Sequence, residues 1–123
     1  MITVSDAQFT AMVNHAFERL PKTHRHAIVN VAVLTADEPT AVQRRQLRLR
    51  GDQTLLGLYE GVPLPARQGR IGDYPPDVIT LFKIPLQHAS SDMQSLQQNV
   101  YHTLWHEVAH YFGLNHADIE ARE

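Results

Sequence analysis

The sequence predicts an α+β fold, a small mixed sheet of about three to four strands packed against an N-terminal helix and a long C-terminal helix. Three observations carry that reading. Phe9, Met12, Val13, Ala16, Phe17 and Leu20 recur at helical spacing, Ala27 to Leu34 is a nearly unbroken β-branched run, and residues 92–112 form one long amphipathic stretch. Helical patterns at both ends with strand-like segments between them favour a sheet with helices packed against it.

Each element has a local cause. Ser5 followed by Gln8 is a capping-box pattern, so a helix starts near residue 6 and runs to about 20, where Pro21 stops it. The run Ala27–Leu34 reads as a central buried strand, because apolar residues occupy both faces. Residues 40–49 suit a short helix. Leu55–Glu60 and Val78–Ile84 read as two more strands, the first closed by Gly61 and Pro63 and the second ended by Pro85. Between them, residues 63–76 are rich in Gly and Pro, and so long a loop in a small domain is expected to border a functional cleft. Ser91 with Gln94 resembles a second capping box, with Asp92 favourable in the first turn, and Gly113 marks the end of the last long helix. A terminal helical turn follows.

Composition bounds the rest. At 123 residues with 43% hydrophobic content, the chain has room for a single domain over residues 1–123 with one modest core. It contains no cysteine, which excludes disulfides and thiolate metal sites. The N-terminus lacks a basic region followed by an apolar one, and no apolar run reaches membrane-spanning length, so a cytoplasmic protein without a membrane partner is expected. A net charge of −2 gives no global attraction to nucleic acid, and none is expected as a partner.

Residues 106–116 carry the chemistry. They read His-Glu-Val-Ala-His-Tyr-Phe-Gly-Leu-Asn-His, an HExxH motif extended to HExxHxxGxxH. On a helix advancing about 100° per residue, His106 and His110 lie roughly 40° apart and one turn apart, so both imidazoles can reach one metal ion. Glu107 projects near the same face and can hold a metal-bound water and take its proton. Gly113 permits the left-handed backbone that turns the chain back, bringing His116 in as a third ligand. Three protein ligands leave one position open, as a catalytic zinc site requires.

The helix faces agree with this assignment. Met93, Val100, Leu104, Val108 and Tyr111 form an apolar arc flanked by Leu96, while His106, His110, Glu107 and Thr103 occupy the adjoining arc. The metal is therefore expected on the floor of a cleft. His102 forms another i, i+4 pair with His106 but has no glutamate beside it, and reads as a neighbour at the cleft rim. His15, His24, His26 and His88 are scattered. Asp118 is expected to be solvated, with orientation of an imidazole as its functional alternative. Arg44, Arg45, Arg48 and Arg50 form the basic cluster, expected as a solvated face, with phosphate binding as the alternative.

Beyond the motif, the chain resembles a known family. His106–His116 is similar to the extended zinc motif of the metzincins. Leu56-Gly57-Leu58-Tyr59-Glu60-Gly61-Val62-Pro63-Leu64 and Tyr74-Pro75-Pro76-Asp77-Val78-Ile79-Thr80-Leu81-Phe82 resemble signatures of the minimal zincin-like, or matrix-metalloproteinase-like, bacterial metallopeptidases. The resemblance implies a compact zincin-like fold, with His106 and His110 as ligands and Glu107 as the catalytic carboxylate. Members often carry Asp at the position of His116, and either side chain can complete the site. The sequence departs from the metzincins in one respect: Met1, Met12 and Met93 all precede His116, so the metzincin methionine turn has no counterpart here.

The expected function is zinc-dependent hydrolysis of peptide bonds in a peptide or protein substrate, through a zinc-bound water activated by Glu107. An edge strand, Val78–Ile84 or Leu55–Glu60, would align the extended substrate. Tyr59, Tyr74, Tyr101 and Tyr111 are candidate oxyanion donors, each with a core or interface role as its alternative. Two other readings stand beside it. A metal-dependent nuclease resembling small bacterial endoribonucleases would use three histidines, but their HxxxHxxxxxH pattern has no Glu after the first His. A non-catalytic, zinc-stabilised module would bind peptides without cleaving them.

Overall fold

The computed structural model describes residues 2–28, 31–62, 66 and 76–113. In chain order the elements are α1 (Asp6–Glu18), α2 (Lys22–Ala27), β1 (Val31–Ala36), α3 (Ala41–Gln46), β2 (Gly57–Glu60), β3 (Asp77–Phe82), α4 (Lys83–His88) and α5 (Met93–Tyr111). The fold is mixed α+β. Among the described residues three strands lie in the order β1-β3-β2, with β1 parallel and β2 antiparallel to β3.

β3 is the centre of the sheet. Val33 pairs with Ile79 on one side and Tyr59 with Ile79 on the other, so β3 is hydrogen-bonded along both edges. Five of its six residues are buried. This corrects the placement of the central strand: the β-branched run after Ala27 supplies β1, an outer strand with Leu34 50% exposed. Its first residues instead close α2. A continuous apolar run is compatible with either position, and sheet order is set by long-range pairing. The assignment of Val78–Ile84 as a substrate-aligning edge is overturned for the same reason, because both its edges are occupied.

α1 begins as expected. Ser5 accepts from the Gln8 backbone, Gln8 answers through its side chain, and Phe9, Val13 and Ala16 turn into the core. The start of α5 differs by one residue from the Ser91–Gln94 pattern. Asp92 is the N-cap, accepting from Ser95 N at 2.8 Å while the Ser95 hydroxyl accepts from Asp92 N at 3.1 Å. Asp is as good a cap as Ser, and the pairing that satisfies both orphan amides wins.

Pro85 likewise does not end a strand. β3 stops at Phe82, and Pro85 occupies the first turn of α4, where a missing N–H costs no helical bond.

α5 is the spine of the molecule. It packs on β2 and β3 across one face and on α1 and α4 elsewhere. Leu96, Val100, Leu104, Trp105, Val108, Ala109 and Tyr111 are buried along it. Met93, expected on the apolar arc, is 38% exposed; it is the first helical residue, and burial begins a turn later at Leu96. Trp105 and Ala109 widen the buried stripe beyond the expected arc. No helix among the described residues is long and apolar enough to cross a membrane.

Candidate metal centre

The last two turns of α5 bring the motif together. His106, Glu107 and His110 each offer a ligand atom, and these atoms lie within 4.8 Å of one another. The two imidazole ring centroids stand 4.8 Å apart, with the ring planes at 64°. Both histidines are half-buried, whereas Glu107 is only 6% exposed. The helix ends just beyond: Phe112 is the C-cap, Gly113 has φ 75°, and its N–H donates to the His110 carbonyl at 3.0 Å. That left-handed turn is what Gly113 was expected to provide. His116 and Asp118 lie outside the described residues.

A cleft of about 460 Å³ opens over these side chains. Its lining is Leu55, Leu56 and Gly57 on one side and Asn99, His102, Thr103, His106, Glu107 and His110 along α5. The motif residues thus form the floor where the β2 segment meets the helix, and exposed His102 lies at the rim as expected. Gly57 permits this close approach. A Cβ there would lie 2.6 Å from Thr103 Cγ2, inside any tolerable contact.

Electrostatically, Glu107 is the most informative group. Burial pushes its carboxyl above the ordinary glutamate range, while the charge of His106 and a hydrogen bond from the Tyr59 backbone N–H act in the opposite sense. Its Oε1 also lies 3.3 Å from His110 Nδ1.

The donor set fits a metal ion. The two imidazoles suit zinc, with the Glu107 carboxylate beside them placed for a water on the ion.

Other expectations resolve individually. The Tyr59 hydroxyl donates to Asp77 Oδ2 at 2.6 Å, Tyr111 is 1% exposed in the core, and Tyr101 lies beneath the Arg19 guanidinium. None of the three lines the cleft, and Tyr74 falls outside the described residues, as does most of the 63–76 loop. His24 packs edge-on against Trp105 and Phe112. Arg44 donates to the Arg50 carbonyl at 2.7 Å and Arg50 approaches Asp52, so the basic cluster is partly tied to its own loop; none of its four arginines lines the cleft. Sequence reasoning missed the buried Asp77 that accepts from the Tyr59 hydroxyl. The signal was present in the two signature segments, which contain Tyr59 and Asp77.

With fold and site in place, comparison with known proteins defines the class. Residues 28–123 match the family described as zincin-like metallopeptidase, and the chain belongs to that family, which places it among metal-dependent hydrolases. Among curated proteins it is similar to Endoribonuclease YbeY of Arthrobacter sp. (strain FB24), 29% identical over 131 residues, covering 99% of this chain and 78% of that protein. Among solved structures it is similar to a conserved hypothetical protein from T. thermophilus, with a TM-score of 0.57 and 15% identity over 97% of this chain and 100% of that one. That second likeness concerns the fold alone.

Proposed function

We propose that the protein is a zinc-dependent peptidase in which His106, His110 and His116 hold the metal and Glu107 is the general base. One observation carries the reading: a buried glutamate lies beside two imidazoles on the floor of a cleft at a sheet edge. Zinc held there supplies a Lewis acid that polarises a carbonyl and acidifies water. Glu107 takes the proton of the attacking water and returns it to the leaving amine, which cleaves the amide.

β2 supplies the alignment. The Leu56 carbonyl accepts from Phe82 N, and antiparallel backbone groups alternate in direction, so Gly57 and Tyr59 turn theirs to the outer edge. There Gly57, a cleft residue, is placed to pair with an extended peptide. The apolar Leu55 and Leu56 beside it favour an apolar substrate side chain at that point.

A second reading has its own support. The relative named an endoribonuclease spans nearly the whole chain, and the metal ligands would serve a phosphodiester equally well. Glu107 favours the peptidase, because it gives the site an acid-base group that the HxxxHxxxxxH pattern lacks. The two separate on substrate: zinc-loaded protein is incubated with a broad peptide library and with single-stranded and structured RNA. Peptide cleavage supports the proposal, and RNA cleavage without peptide cleavage replaces it with the second reading.

A further inference from the structure

Asn99 lines the cleft two turns before His106 on α5, and the chemistry above gives it no part. Its side chain is nonetheless held in one orientation. Nδ2 donates to Ser90 Oγ at 2.9 Å and to the Ala89 carbonyl at 3.4 Å, both in the turn that joins α4 to α5. Neither contact can be made by the amide oxygen instead. A carbonyl only accepts, and the Ser90 hydroxyl gives its proton to the Leu86 carbonyl at 2.7 Å, so it too accepts from Asn99. Ser90 is buried, which shields this network from water. The network therefore fixes the amide with its nitrogen toward the turn and its oxygen, Oδ1, turned away from it. No donor among the described residues reaches Oδ1.

We propose that Asn99 is a substrate-binding residue whose Oδ1 accepts a hydrogen bond from a backbone N–H of an extended peptide, roughly three residues from the scissile bond. The spacing follows from helix geometry. His106 lies seven positions after Asn99, which puts the two on one face of α5 and about 10 Å apart along its axis. A peptide lying in the cleft advances about 3.3 Å per residue, so three residues span that interval. Gly57 meets Thr103, which falls between Asn99 and His106 on the helix, so the backbone contact offered by β2 and the one offered by Asn99 lie along one path. An amide already locked through its nitrogen needs no ordering when the substrate arrives, and its contact adds to affinity undiminished. A neutral acceptor of this kind reads the peptide backbone and makes the cleft select for length on one side of the cleaved bond. The contact rests on the peptidase reading of the site.

An ester scan tests it. The probe is a peptide that the zinc-loaded protein cleaves or, if it cleaves none, an N-acetylated, C-amidated oligoalanine with a central leucine. Each amide N–H of the probe is replaced in turn by an ester oxygen, and binding to zinc-loaded Glu107→Gln protein, which leaves the probe intact, is measured by calorimetry. One ester, roughly three residues to one side of the scissile bond, is expected to weaken binding about fivefold, the usual weight of one hydrogen bond. That penalty should vanish when Asn99→Ala is added. It should persist with Asn99→Asp, which keeps an acceptor and loses both Nδ2 donors. A residue that merely holds the α4–α5 turn would make the Ala and Asp variants lose affinity alike for every probe, amide or ester, and that result would overturn the proposal. The same ester pattern with and without Asn99→Ala would do so too. Peptide cleavage by the wild type without an Asn99-dependent penalty keeps the peptidase reading and removes this contact; the penalty without cleavage removes the peptidase reading and keeps the contact. Failure of wild type and Glu107→Gln protein to bind any peptide overturns both.

Discussion

Gly57 and Thr103 are in such close apposition that a single methyl group at Gly57 would lie 2.6 Å from Thr103 Cγ2. The strand and the motif helix touch here, one turn before His106. Gly57→Ala is therefore expected to push β2 away from α5, destabilising the fold by about 1–3 kcal/mol, as overpacked substitutions do. Thr103→Ser lacks the offending methyl and should recover part of the loss in the double variant. Denaturant unfolding of the single and double variants checks both; equal stability of Gly57→Ala and wild type would show that the contact relaxes freely.

Leu104 is fully buried in the face of α5 opposite the cleft wall. Leu104→Ala should cost about 2–5 kcal/mol through lost burial and the remaining cavity. Chemical denaturation gives the difference, and a midpoint unchanged from wild type would contradict the packing.

The N-cap of α5 predicts a pH dependence. Hydrogen bonds from the Ser95 backbone and hydroxyl hold the Asp92 carboxyl below the ordinary aspartate range of about 3.8. A carboxyl lowered on folding stabilises the ionised form, so its contribution is present above the unfolded value and lost as pH falls through the lower folded value. Asp92→Ala should lower the melting temperature at neutral pH. The gap to wild type should narrow as pH drops below about 3.8; a constant gap down to about pH 2 would show that the carboxylate charge contributes nothing.

Metal content tests the ligands separately from catalysis. His106→Ala and His110→Ala should each abolish stoichiometric zinc by elemental analysis, and His116→Ala should weaken retention strongly, since three protein ligands become two. Full zinc in His116→Ala would exclude it as the third ligand and direct attention to His102 or Asp118. Chelation of wild type should remove activity reversibly, with zinc restoring it.

Some of this was legible in the sequence because it is local. The i, i+4 histidines, the glutamate between them and Gly113 fix one face of one helix and its end, and the helix formed where the apolar period placed it. Ser5 and Gln8 capped α1 for the same reason. What escaped depended on partners far along the chain. The β-branched run before Leu34 could not reveal that Ile79 would take the central place, since that follows from which strands pair. Ser91 is the expected cap with Asp92 in the first turn, and the geometry of Ser95 gives the capping role to Asp92 instead. Pro85 looked like a strand end because a first-turn proline and a strand breaker are identical in sequence. The attachment of Tyr59 to Asp77 joins two strands 18 residues apart in the chain and has no local period at all.

The central claim is that Glu107 is the base of a zinc peptidase, and the most direct measurement is peptide cleavage by Glu107→Gln protein shown to carry a full equivalent of zinc. Glutamine keeps the shape but cannot accept the water proton. The expected result is unchanged zinc content with kcat reduced at least about a hundredfold, the usual share of a general base. A zinc-loaded Glu107→Gln protein that cleaves peptide at the wild-type rate would contradict the account.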